Sequence, residues 1–189
     1  MNRFATLLFM TALSVVNWAQ NPPQSGAPSP ASQAGPQAPP VNPMSTEAKQ
    51  AYTNIKNNLI KMAEKMPEEH YGFKATADVR TFGQLVGHVA DAQARTCSTV
   101  NGAAKQLNAS QKTAKAELVA ALKESFTLCD QAFDALTDAK AAEMVAMGQR
   151  SRSRLGLLMG VVTHSNEEYG YMAVYMRLKG VTPPSSEGR

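Results

Sequence analysis

The sequence predicts an all-α fold, a four-helix bundle with long connections, on three observations. Four stretches of roughly 20 residues or more place apolar side chains three and four apart, which gathers them on one face of a helix. No run alternates Val, Ile or Thr with polar residues as a half-buried strand does. Composition agrees: of 189 residues 43% are hydrophobic, only 6% are aromatic and ten are Met, a core vocabulary for packed helices rather than an aromatic-rich sandwich.

The first 44 residues stand apart from this domain. Met1-Asn2-Arg3 is a short positive start, and Phe4 to Val16 is an uncharged apolar run of 13 residues. That is the length of a signal-peptide core and falls short of the roughly 20 residues that span a bilayer. The expected organisation is a signal peptide over 1–19, cut after Ala19, of an exported protein that is periplasmic or secreted, with an uncleaved anchor or a buried helix as the alternative reading of the apolar run. Asn17 fits the small-residue rule at the cut poorly, and no Cys lies near it to carry a lipid. Residues 20–44 read as a Pro/Ala/Ser/Gln-rich linker without a fold of its own, since eight of the 11 prolines fall there and no charge does. The bundle is then expected over 45–189.

Ser45 is the candidate cap of the first helix, whose stripe is Ala48, Tyr52, Ile55, Leu59, Met62 and Met66, ending at Pro67. Thr81 and Gln84 form a candidate capping box for the second, with Leu85, His88, Ala92 and Thr96 on one stripe and Asn101-Gly102 at its close. Ser110 is the candidate cap of the third, with Leu118, Leu122, Phe126, Cys129, Phe133 and Leu136 inward. Residues 137–152 read as a short helix or an irregular crossover. The fourth helix starts near Ser153, carries Leu157, Val161, His164, Glu168, Met172 and Tyr175 on one face, and stops at Gly180. Its Arg177 and Lys179 suit the negative end of the helix dipole, and the following Pro-Pro is expected to fold the tail back onto the bundle.

Net charge is +4, spread along the domain with only a loose cluster at Arg150, Arg152 and Arg154. A basic stripe interleaved with aromatics, the mark of a nucleic-acid binder, is missing, so no nucleic-acid partner is expected; after signal cleavage no membrane partner is expected either.

Two of the three His fall on inward stripes of different helices. His164 and Glu168 are four apart, so both side chains point the same way, and His88 on a facing helix completes two imidazoles and one carboxylate. Such a set can hold a divalent metal with positions left for water or substrate. Spacing alone leaves alternatives: a core His bonded to a backbone carbonyl is common, Glu168 could be a salt-bridge partner, and Glu167 competes with it. Convergence of the three groups within about 3 to 4 Å would favour the metal, whereas His88 and His164 bonded to separate backbone groups would not.

Two longer phrases, MPEEHYGFKATADVRTFGQLVGHVADAQ and HSNEEYGYMAVYMRLKGVTPPSS, together with KAELVAALKESFTLCDQAF between them, resemble the DinB-like (damage-inducible) four-helix bundle family of candidate metalloenzymes over residues 46–186. The resemblance implies a divalent transition metal held by one His of the second helix and an H-x3-H pair on the fourth. Those positions are His88, His164 and Glu168, the last being a departure from the family's His. Glu is a competent zinc ligand, so zinc is the first expectation and nickel the second. The resemblance also implies a metal-activated water or thiol acting in hydrolysis or transfer on an unknown small substrate. Export weakens the thiol branch, and the alternative is a non-catalytic binding or stress-response bundle with a vestigial site. His70 and Tyr71 precede the second helix and are either at the mouth of the site or a surface pair without a role. Bundles of this kind often dimerise, which leaves a homodimer open. Helices 2 and 3 of the family run parallel. Counted from Thr81 and Lys112, that places Cys97 and Cys129 at nearly equal height. A disulfide is expected in an exported chain, with two buried thiols as the alternative.

Overall fold

The structure, a computed structural model, describes residues 41–188. The signal peptide expected over 1–19 and nearly all of the linker expected over 20–44 lie outside the described residues. Four helices form the bundle: α1 (Pro43–Lys65), α2 (Phe82–Val100), α3 (Lys115–Asp134) and α4 (Arg154–Leu178). A two-stranded antiparallel hairpin, β1 (Met144–Met147) and β2 (Arg150–Ser153), joins α3 to α4. Among the described residues no helix is long and apolar enough to cross a membrane.

Helix α1 begins two residues earlier than the domain boundary expected at Ser45. Pro43 occupies the first turn, where its missing N–H costs nothing. Ser45 is not the cap. The N–H groups of Met44 and Ser45 donate to the carboxylate of Asp138, at 3.2 and 2.8 Å, and Asp138 N–H donates back to Asn42 Oδ1 at 3.1 Å. A residue more than 90 positions away thus meets the orphan donors of this helix. The inward face is as expected, with Ala48, Tyr52, Ile55, Leu59, Met62 and Met66 all buried. Tyr52 stacks on Phe133 with ring centres 4.0 Å apart, and its hydroxyl donates to Asp130 Oδ1 at 2.7 Å.

The Thr81 capping box forms on α2. Gln84 N–H donates to Thr81 Oγ1 at 3.1 Å, and Thr81 N–H donates to Gln84 Oε1 at 2.8 Å. Asn101 and Gly102, the latter at φ +84°, close the helix. Ser110 does not cap α3, which starts at Lys115. Residues 109–111 form a single turn instead, and Asp91 of α2 accepts from the N–H groups of Ala109 and Ser110 at 2.7 and 2.9 Å. That turn lies so close to α2 that a Cβ on Gly87 would stand 2.8 Å from the Ala109 carbonyl oxygen.

Residues 137–152 contain one short turn over Asp138–Lys140 and then the hairpin, neither of the two forms expected. Its loop is Gly148-Gln149, with Gly148 at φ +62°, the position where a two-residue hairpin loop calls for glycine. The strands escape a periodicity search because MVAM and RSRS do not alternate in polarity. Ser153 caps α4 by accepting from Gly156 N–H at 3.1 Å, and Gly180 at φ +71° ends it. Pro183 and Pro184 are buried, and Glu187 pairs with Lys61 and Lys65, so the tail does fold back.

Helix directions follow from these contacts. Arg154 at the start of α4 donates to Val100 O at the end of α2, and the Tyr175 hydroxyl donates to Arg80 O, so α2 and α4 are antiparallel. Helices α2 and α3 are parallel, with Gly83 beside Leu118 at one end and Asn101 bonded to Leu128 O at the other. Cys97 and Cys129 therefore meet at the same height and are bridged, with Cα atoms 4.9 Å apart.

Candidate metal centre

His88 and Val89 lie in the second turn of α2, and His164 is near the middle of α4. Antiparallel packing sets these two segments side by side. The interface next to them is polar as well as apolar: Gln93 Nε2 donates to Ser165 Oγ at 3.0 Å, both residues being buried. Because 164 and 168 are one helical turn apart, Glu168 enters the same seam below the imidazoles.

The three groups converge. His88 Nε2 lies 3.1 Å from His164 Nε2, and Glu168 Oε1 lies 3.5 Å from the first and 3.6 Å from the second. Neither Nε2 is turned toward a backbone carbonyl. A circle through the three atoms has a radius of about 2.0 Å, the length of a zinc bond to imidazole nitrogen or carboxylate oxygen. An ion of that size could touch all three at once.

The electrostatics point the same way. Glu168 is only 5% exposed, and its Oε2 is buried without a hydrogen-bond partner. Burial raises its pKa above the usual 4.5, against the opposing pull of His164 and Arg80. A buried carboxylate in this condition is stabilised by a cation. Burial also lowers the pKa of His88 below 6.5, assisted by Arg80, His164 and Arg95 and opposed by Asp91. The imidazole is then a neutral nitrogen donor at pH 7, the form that binds metal. The donor set of two imidazoles and one carboxylate thus fits a divalent transition metal such as zinc.

Glu167 does not compete. It is exposed, and its Oε1 accepts from the Tyr171 hydroxyl at 2.8 Å. His70 and Tyr71 do not join the cluster. Tyr71 is a core residue, 4% exposed, whose hydroxyl donates to Ala63 O and whose ring packs edge-on against Phe82. Burial first, then Glu68 and Glu64, pushes its phenol pKa upward, away from any acid-base role near neutral pH.

Above the imidazoles lies a cavity of about 320 Å³, with Ala92, Met147, Leu157 and Val161 on its walls. Arg95, Arg150 and Arg152 stand around it. The hairpin brings in Met147, Arg150 and Arg152, none of which sequence patterning attached to the site. The signal that could have found them is the pair Gly156 and Gly160, which continues the His164–Glu168 stripe toward the hairpin with no side chain.

Solved structures share this arrangement of helices. A DinB-like protein from Bacillus cereus superposes with a TM-score of 0.64 at 19% identity, covering 74% of this chain and 95% of that one. A conserved protein from Enterococcus faecalis gives 0.58 at 11% identity, covering 71% and 96%. A DinB-like protein from Bacillus subtilis gives 0.55 at 17%, covering 72% and 93%. At these identities the likeness is one of fold. No curated protein matches the chain in sequence. The model of the DinB superfamily matches residues 51–172, well over half of the chain and both helices of the His88, His164 and Glu168 cluster, and the chain belongs to that superfamily.

Proposed function

We propose that this is an exported, metal-dependent DinB-type enzyme that binds one divalent transition metal, zinc before nickel, through His88, His164 and Glu168. The convergence of their three ligand atoms at 3.1, 3.5 and 3.6 Å carries the reading. A bound zinc would supply Lewis acidity, making a hydroxide from water or holding a thiolate at neutral pH. The chain's own part is to keep the His88 imidazole neutral, to set His164 beside it, to compensate the ion with one buried carboxylate, and to present a pocket with apolar walls. Hydrolysis or transfer on a small substrate fits that arrangement. Export is supported by the apolar run of 13 residues behind Arg3 and by the Cys97–Cys129 bridge, which persists best outside a reducing cytoplasm.

Elemental analysis of the purified protein, repeated on His88→Ala, tests the centre. One equivalent of metal that disappears in the variant is the expected result. A parent that takes up neither zinc nor nickel refutes it and leaves the 3.1 Å pair of imidazoles as a plain hydrogen bond in a non-catalytic bundle. N-terminal sequencing of the exported protein should begin at Gln20; a mature chain that starts at Met1 would remove the export reading.

A further inference from the structure

The cavity above His88 and His164 carries charge of one sign. Arg95, Arg150 and Arg152 surround it, and among the described residues no carboxylate lines it. Among the described residues none of these three arginines is within ion-pair distance of an acid. The neighbouring Arg154 shows the contrast, since its guanidinium is held by Glu143 and by Val100 O.

Arg152 is positioned rather than merely nearby. Its Nη2 donates to Gly156 O at 3.1 Å. A Cβ on Gly160 would lie 3.7 Å from its Nη1, and one on Gly156 would lie 3.9 Å from its Nη2. The guanidinium thus rests on a bare strip of α4 formed by two glycines. Residues 156, 160, 164 and 168 are successive members of one i, i+4 row, so this strip leads directly to His164 and Glu168. Gly160 is one turn, about 6 Å, from His164. The only carboxylate in the metal-ligand cluster is Glu168, so a divalent ion there would leave the pocket positive as well.

We propose that this pocket is a subsite for a small organic anion, its carboxylate or phosphate held by Arg152 with Arg150 and Arg95. A guanidinium fork matches either oxyanion by paired hydrogen bonds. The uncharged body of the ligand lies against Leu157, Val161 and Met147, which directs its other end to His88 and His164. That last step rests on the cluster being a metal centre; the anion subsite itself does not.

Calorimetric titration with phenylphosphate, benzoate and benzyl alcohol tests this, using zinc-loaded and chelator-treated protein with zinc content measured on the same samples. Chelator-treated parent should bind at least one of the two anions and bind benzyl alcohol about tenfold more weakly or not at all. Whichever of phenylphosphate and benzoate binds tighter assigns the oxyanion. Arg152→Ala and the Arg150→Ala/Arg152→Ala double variant should weaken anion binding about tenfold or more while keeping the parent's zinc content, circular dichroism and melting temperature. These arginines are exposed, so their loss does not endanger folding. Anion affinity unchanged in the double variant, or equal affinity for the alcohol, overturns the subsite. The two readings separate cleanly: a zinc-free parent with arginine-dependent anion binding removes the metal centre and keeps the subsite, and zinc with arginine-independent binding does the reverse.

Discussion

Replacing Cys97 and Cys129 together by Ala removes the one covalent link between α2 and α3. The bridge spans a sequence separation of 32 residues. Loop-closure entropy for that length is about 12 cal/mol/K, or roughly 3.7 kcal/mol at 25 °C. For a domain of about 150 residues the unfolding entropy is near 0.3 kcal/mol/K, so the melting temperature should fall by about 12 °C. Both Cys are fully buried, so the Ala variant also loses packing around the two sulfurs. Reduction of the parent keeps those atoms, which separates the two effects: reduced parent reports the cross-link alone, and the Ala variant should melt lower still. The assay is thermal unfolding by circular dichroism with and without reductant, beside a mass count of alkylated thiols in unreduced, denatured protein. Two alkylated thiols, or oxidised and reduced parent melting within about 2 °C of one another, would refute the reasoning.

Gly87→Ala should gain about 1 kcal/mol by helix propensity alone. Its Cβ, however, would meet the Ala109 carbonyl oxygen at 2.8 Å, so a net loss of about 1 to 3 kcal/mol is expected, read as a lower urea midpoint. Asp138→Ala should fray the start of α1, seen as faster amide exchange at Met44 and Ser45. Burial raises the Asp138 pKa, but the hydrogen bonds from Ser45 and Met44 outweigh it and hold the carboxyl below 3.8. A depressed folded pKa stabilises above pH 3.8 and is lost as pH falls through the folded value. The parent should therefore lose stability in acid that the variant never had, measured as the difference in urea midpoint between pH 6 and pH 3. Glu168→Gln should abolish the rise in melting temperature that zinc gives the parent. Its metal-free form should be no less stable than metal-free parent at pH 7, because ionisation of a carboxyl whose folded pKa lies above 4.5 costs stability as pH rises through that range.

Local chemistry is what patterning read well. The Thr81 capping box, the Ser153 cap and the Gly102 and Gly180 ends all involve groups within four residues of each other, so the sequence alone specifies them. The apolar face of α1 is equally readable, because a period of 3.6 is a property of the chain and not of its neighbours; on α2, however, His88, Ala92 and Thr96 of the expected stripe are only half-buried, and Val86, Val89, Ala90 and Cys97 pack into the core. The pair His164 and Glu168 belongs to the same class. The start of α1 does not. Ser45 looked like its cap, yet the first-turn donors go to Asp138, which approaches only when the bundle closes. Ser110 is not a cap for a similar reason, because Asp91 accepts from its N–H and that of Ala109 and holds the turn against α2.

The sequence by itself determined four helices, the buried faces of α1, α3 and α4, and two ligand candidates one turn apart on α4. These are short-range consequences of side-chain spacing and capping. The tertiary structure decided which atoms meet. Antiparallel packing of α2 on α4 carried His88 to within 3.1 Å of His164, and parallel packing of α2 on α3 made Cys97 and Cys129 a bridge. A hairpin without alternating polarity laid Arg152 along Gly156 and Gly160. Each of these depends on helix direction and on contacts between residues at least 30 positions apart, or on a turn whose only local signal is Gly148. Periodicity within a single element contains no such information.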